Sequence, residues 1–124
     1  MRRIILKIKE SGEMYLETIL LLSKMKSCVR SNDVVKELHY SKSSVSRGVN
    51  VLRKRGYITI NTDGCIHFTI KGLHHAQMIF DKHKVLTEHL VRLGVDKTIA
   101  EADACRIEHV ISDVSFEAIK KTDK

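Results

Sequence analysis

The stretch SKSSVSRGVNVLRKRGYITINTDGCIHFTI, residues 41–70, constrains the fold of this chain more than any other. Its first half carries apolar residues at helical spacing, its second half is rich in β-branched residues, and only a tight turn fits between them. On a wheel advancing about 100° per residue, Val45, Val49 and Leu52 share one side, while Ser43, Ser46, Arg47, Asn50 and Lys54 fall in a narrow arc opposite. The apolar side anchors the helix and leaves the polar side free. Two β-rich runs, residues 57–60 and 65–70, flank NTDG and predict a hairpin.

The preceding residues supply what such a helix packs on. Tyr15, Leu16, Ile19 and Leu22 follow Ser11-Gly12 at helical spacing and predict a first helix over residues 12–26, with Met14 and Glu17 beside its apolar face. Ser31 and Asn32 can cap a second helix holding Val34, Val35 and Leu38, and HYSK leads from it into the third. Two short helices joined by a tight turn form a helix-turn-helix candidate. The helical pattern returns from about Gly72 to Arg92, is broken by GVDKT, and ends in a last helix over residues 97–113. The expected fold is mostly α: a winged helix-turn-helix over residues 1–73, with 1–10 an unexplained lead-in or DNA-reaching arm, then a helical part over 74–124.

Charge narrows the partner. Lys and Arg number 22 against 15 Asp and Glu, a net charge of +7, which suits a polyanion such as nucleic acid or an anionic membrane. Arg can bind guanine bidentately, Asn can read adenine, and Ser can bind phosphates or base edges. The DNA-facing set is therefore Lys42, Ser43, Ser44, Ser46, Arg47, Asn50 and Lys54, with Lys71 at the base of the hairpin and its tip, residues 61–64, as a wing. The plainer alternatives are a solvated helix face and an ordinary surface turn. No apolar run approaches the ~20 residues of a bilayer span, and Lys7 and Lys9 interrupt the N-terminal MRRIILKIKE, so a cytoplasmic protein is expected. Cys28, Cys65 and Cys105 are odd in number and contain no CxxC, which predicts reduced thiols, the first two structural.

ACRIEHVIS, residues 104–112, asks for a different chemistry. With Cys105 as origin, Glu101, Glu108, His109 and Ser112 lie on its side of the helix, and Ala100, Ala104, Ile107, Ile111 and Val114 lie opposite. A solvated face does not account for the thiol, and a core thiol does not account for its neighbours. Thiolate, carboxylate and imidazole one turn apart can converge on one cation, with further ligands drawn from elsewhere. His83 shares a stripe with Ala76, Ile79, Phe80, Leu86 and Leu90, as a core histidine would, and Met14 alone reads as core filler. The apolar arc Ala104, Ile107 and Ile111, with Val85 and Leu90, is the candidate dimerisation surface; its alternative is the intramolecular core.

EMYLETI, SSVS followed by RGY, FTIKG, KHKVLTEHL and ACRIEHVISD together resemble the diphtheria toxin repressor family of iron- and manganese-dependent regulators, from about Ser11 to Ile119. The resemblance implies a dimeric repressor that binds palindromic operators when loaded with a divalent metal, in the short form without an SH3-like domain. It implies Met14, Cys105, Glu108 and His109 as primary ligands. For an ancillary site or second ion it implies His83, Glu17 and Glu101; Thr87 and Glu101 stand where the iron branch has glutamate and histidine. Met14 and Cys105 replace the aspartate and glutamate of the manganese branch. These soft donors favour Fe²⁺ over Mn²⁺, with Co²⁺, Ni²⁺ or Zn²⁺ able to substitute in vitro. Ligands from both parts would let one ion hold the two recognition helices at the spacing of operator half-sites. Two other functions compete: a metal-independent winged-helix regulator, and a small metalloenzyme, for which no positioned base is visible beyond the ligands.

Overall fold

The computed structural model describes residues 2–122, with side chains from Gly12 onward. Its elements are α1 (Arg2–Ser23), α2 (Ser31–Leu38), α3 (Lys42–Lys54), β1 (Ile58–Ile60), β2 (Ile66–Phe68), α4 (Ile70–Arg92), α5 (Lys97–Ile107) and α6 (Asp113–Thr122). The chain forms two compact units, one up to Gln77 and one from Met78, so that α4 begins in the first and ends in the second.

In the first unit α1, α2 and α3 pack on one another through the residues their periodicities put on one face: Tyr15, Leu16 and Ile19 from α1, Val34 from α2, and Val45, Val49 and Leu52 from α3, all buried. The contact of α1 with α3 depends on Gly48. A Cβ there would lie 2.0 Å from Cε2 of the Tyr15 ring, so only glycine lets the ring reach the α3 backbone. Tyr15 then donates to the Ser44 carbonyl at 3.4 Å and meets Tyr40 edge-on at 6.2 Å. Burial, and next the neighbouring Tyr40, raise its phenol pKa above the usual value.

Local hydrogen bonds set the helix ends. Ser41 caps α3, its Oγ accepting from the Ser44 amide at 3.1 Å. α2 is capped differently from the Ser31–Asn32 expectation: its N-cap is Arg30, whose amide donates to Asp33 Oδ2 at 2.9 Å, while Asp33 Oδ1 accepts from Lys26 at 2.6 Å. The lysine hydrogen bond, then the Arg30 amide, hold the Asp33 carboxyl below the ordinary range.

β1 and β2 pair antiparallel with Ile58 opposite Phe68 and Ile60 opposite Ile66. The strands are shorter than residues 57–60 and 65–70. Ile70 belongs to α4, because Thr69 ends the strand: its Oγ1 donates to the Gly56 carbonyl at 2.6 Å and accepts from the Gly72 amide at 3.0 Å. α1 also starts earlier than expected. Ser11-Gly12 does not begin it, since a lone glycine costs a helix only about 1 kcal/mol and the residues before it continue the pattern. The arm reading of residues 1–10 concerns side chains outside the described ones.

The second unit closes around Leu86, Ala104 and Phe116, with Val85, Ile107, Ile111 and Ile119 packed on them. Its last helix is the main departure from the sequence expectation. The predicted helix over 97–113 ends at Ile107, and a further helix, α6, follows; Ser112 Oγ accepts from the Ser115 amide at 3.1 Å at the start of α6. Phe116 and Ile119 lie on α6 and supply part of the core, which is why the chain turns back.

Cys28 and Cys65 are joined in a disulfide, contrary to the expectation of reduced thiols, whereas Cys105 is free. Their separation of 37 residues is closed by the hairpin folding onto the loop before α2, a tertiary contact that no local spacing encodes.

Candidate metal centre and nucleic-acid face

Helical geometry persists past the end of α5. Glu108 keeps αR angles and its amide reaches the Ala104 carbonyl at 2.9 Å, so Cys105, Glu108 and His109 retain the spacing of one helical turn. Ala100 and Ala104 are fully buried on the core side, which turns the three donors together. Their ligand atoms lie within 4.8 Å of one another, the arrangement the wheel predicted for a shared cation. The wheel did not predict the burial: Glu108 is 1% exposed and His109 7%, so this is not a solvated face.

His83, on α4 in the same unit, comes to this cluster rather than simply filling core. Its Nδ1 is 3.1 Å from Glu108 Oε2, and His109 Nε2 is 3.4 Å from Glu108 Oε1. Neither Glu108 oxygen makes a hydrogen bond, although both are inaccessible to solvent. A buried carboxylate without hydrogen bonds costs the fold several kcal/mol by order of magnitude unless a positive charge compensates it. With a thiol and ring nitrogens at the same place, the donor set fits a divalent metal ion. Glu101 is exposed and is not among these converging donors. Met14 and Glu17 lie on α1, in the first unit, half-buried and buried respectively.

The candidate dimerisation residues divide. Ala104 is enclosed in the unit's own core, and Val85, Ile107 and Ile111 pack against that core while remaining partly exposed; Leu90 is also partly exposed. The large apolar side chains that this unit leaves in solvent are Met78, Val91, Leu93, Ile99, Val110 and Val114.

On the first unit, Lys42, Ser43, Ser46, Arg47 and Lys54 are exposed, and Ser44 and Asn50 half-exposed, on the side of α3 opposite Val45, Val49 and Leu52. Ser46, Arg47 and Asn50 line an open cleft with Ser31 and Ile60, two residues that sequence reasoning missed. Arg53 was missed as well: its Nη2 donates to Asn50 Oδ1 at 2.7 Å, fixing which end of the amide is presented. Its i, i+3 spacing from Asn50 is the signal that could have found it. Lys71 is tied down at the base of the hairpin, with its Nζ donating to the Arg55 carbonyl at 3.1 Å and lying 4.4 Å over the Tyr57 ring.

A winged helix-turn-helix with a basic reading helix, followed by a helical unit with clustered thiol, carboxylate and imidazole donors, is the build of a metal-dependent transcriptional regulator. Residues 7–65 match the iron dependent repressor N-terminal DNA binding domain, and residues 69–122 the iron dependent repressor metal binding and dimerisation domain. The chain belongs to the iron-dependent repressor family, as the resemblance carried by EMYL and ACRIEH implied.

Among its relatives, an uncharacterized HTH-type transcriptional regulator of Methanocaldococcus jannaschii is 34% identical over 115 residues, 91% of this chain and 92% of that protein. The HTH-type transcriptional regulator MntR of Shouchella clausii is 32% identical over 82% of this chain and 71% of that protein. The fold is shared with the manganese regulator SloR, at TM-score 0.79 and 24% identity, and with a manganese-dependent transcriptional repressor in complex with manganese, at TM-score 0.82 and 22% identity. Each likeness covers 90% of this chain; the chain spans about half the length of these two solved structures, 52% and 51%. Among the described residues no helix is long and apolar enough to cross a membrane.

Proposed function

We propose that this regulator is a cytoplasmic repressor that binds two-fold-related operator half-sites as a homodimer when it holds a divalent metal ion, Fe²⁺ in preference to Mn²⁺. The observation that carries the reading is Glu108, a buried carboxylate with no hydrogen bond, set among a thiol and ring nitrogens. When bound, the ion supplies a positive charge beside this carboxylate.

Cys105, Glu108 and His109 are the primary ligands in the second unit, with Met14 of α1 completing the set that the family resemblance assigns. His83, Glu17 and Glu101 serve as ancillary ligands or hold a second ion, and His83 has the strongest support, from its 3.1 Å approach to Glu108. The soft sulfur donors of Met14 and Cys105 argue for Fe²⁺, and for Co²⁺, Ni²⁺ or Zn²⁺ as substitutes in vitro. Ligation from both units couples the α3 reading helix to the dimerisation part. Two reading helices must span about 34 Å to enter successive major grooves, so the metal-bound geometry selects operator binding. A coupling of about 1–3 kcal/mol corresponds to a roughly 5- to 150-fold change in DNA affinity.

Arg47 and Asn50 are the base-reading candidates; Lys42, Ser43, Ser44, Ser46, Lys54 and Lys71 serve the phosphates. Val85, Leu90, Ile107 and Ile111 contribute to the dimer contact where they emerge from the core, and Ala104 supports it from within. The test is metal titration under anaerobic conditions of the wild type, Cys105→Ala and Glu108→Ala, reading metal stoichiometry and DNA affinity together. Unchanged metal dependence in both variants would refute the reading.

A further inference from the structure

The disulfide lies in the DNA-binding unit, at a seam where the loop before α2 meets the hairpin. Three consecutive residues of that loop are attached there: Cys28 is bonded to Cys65 with their Cα atoms 5.1 Å apart, the Val29 carbonyl accepts from the Ile66 amide at 2.7 Å, and Arg30 Nε donates to the Asp63 carbonyl at 3.1 Å. The hairpin has only three residues in each strand, and a two-stranded ribbon of that size is marginal by itself. Its position therefore depends on the buried Ile58 at its root and, towards its tip, on the buried Ile66 and this seam. Ser31, next to the seam, and Ile60, on the hairpin, both border the cleft that contains Ser46, Arg47 and Asn50. Where the hairpin sits thus sets the shape of the surface offered beside the reading helix.

The two sulfurs are not equivalent. Cys65 is buried and Cys28 half-exposed, so an incoming thiolate reaches the Cys28 sulfur and Cys65 is the leaving group. We propose that Cys28 and Cys65 form a reversible thiol–disulfide site that fixes the wing in its oxidised form and releases it in its reduced form, lowering DNA affinity.

The co-reactant is a cellular dithiol. One of its thiolates attacks Cys28 Sγ, the Sγ–Sγ bond breaks, and Cys65 departs as a thiolate, leaving a mixed disulfide on Cys28. The second thiolate of the reductant then attacks its own sulfur in that mixed disulfide, closing the reductant's disulfide and freeing Cys28. Two electrons pass from the dithiol to the protein, and two protons complete the two thiols. Cys105 takes no part, so the site works separately from the proposed metal ligands.

The test compares three forms: oxidised wild type, wild type reduced with a phosphine, and Cys28→Ser, which removes the half-exposed sulfur and leaves the buried one in place. Amide exchange at Cys65 and Ile66 is measured on metal-free protein, and binding to a mixed-sequence duplex by anisotropy at low salt. Reduced wild type and Cys28→Ser should both exchange at Ile66 about tenfold faster or more, and bind the duplex on the order of three- to tenfold more weakly, because an unfixed wing must be ordered on binding. Equal protection and equal affinity in oxidised and reduced wild type would overturn the proposal, as would a loss confined to Cys28→Ser. Reversibility is read by alkylating the thiols across glutathione buffers of different ratio. A bond that neither opens nor closes over that range would also overturn it.

Discussion

Replacing Glu108 by glutamine should move stability in opposite directions with and without metal. Glutamine matches the carboxylate in shape and removes its charge. Glu108 is 1% exposed, and neither of its oxygens has a hydrogen bond. Leaving a buried acceptor unsatisfied costs about 1–3 kcal/mol, and more when the group is charged. Relief of part of that cost should make metal-free Glu108→Gln more stable than the metal-free wild type by about 1–2 kcal/mol, an increase in Tm of roughly 3–8 °C for a chain of this size. Metal should reverse the order. A ligand at one hundred times its Kd stabilises the native state by about 2.7 kcal/mol, and the variant forfeits most of that increment. The assay is thermal or urea unfolding of both proteins, first in chelator and then in saturating Co²⁺ or Mn²⁺. If Glu108→Gln is destabilised equally in both conditions, Glu108 is an ordinary structural acceptor and the reasoning fails.

Gly48 and Gly12 should respond to alanine with opposite signs. Alanine at either helical site gains up to about 1 kcal/mol of propensity, but a Gly48 Cβ would meet the Tyr15 ring at 2.0 Å, whereas a Gly12 Cβ meets Leu52 Cδ2 at an ordinary 3.7 Å. Gly48→Ala should therefore lose about 1–3 kcal/mol in urea titration and Gly12→Ala should gain a few tenths or more. Asp33→Ala should cost about 1 kcal/mol through the α2 cap. Because the folded Asp33 pKa is depressed, its stabilisation is present above the unfolded value near 4 and is lost as pH falls through the folded value. Acid titration of the variant should show less loss of stability below about pH 4 than the wild type. Arg47→Ala should weaken binding to a selected operator by about 1–3 kcal/mol and relax its sequence preference; Lys54→Ala should weaken all duplexes alike and reduce the salt slope by about 1.

Much of the DNA-binding unit was legible because its signals are local. Val45, Val49 and Leu52 repeat at helical spacing, and the wheel that buries them also exposes Arg47 and Lys54. The convergence of Cys105, Glu108 and His109 was legible for the same reason, since i, i+3 and i+4 fall together on any helical backbone. What failed rests on tertiary packing. The helical pattern runs on to residue 113 because Ile107, Ile111 and Val114 keep helical spacing and no Gly or Pro intervenes; the break comes from Phe116 and Ile119 turning back onto Leu86 and Ala104. In the same way Val114, placed on the apolar arc, is 82% exposed. The approach of His83 to Glu108 and the pairing of Cys28 with Cys65 join residues 25 and 37 positions apart, and no period in the sequence spans such distances.

If metal held at Cys105, Glu108 and His109 governs DNA binding, the affinity for a selected duplex must depend on that metal. A duplex is first enriched from a random-sequence pool with metal-loaded protein, and its affinity is then compared for the Fe²⁺-loaded and chelated protein under anaerobic conditions. Chelation should weaken binding roughly 5- to 150-fold, and Glu108→Gln should abolish the difference. Equal affinity for that duplex with and without metal would contradict it.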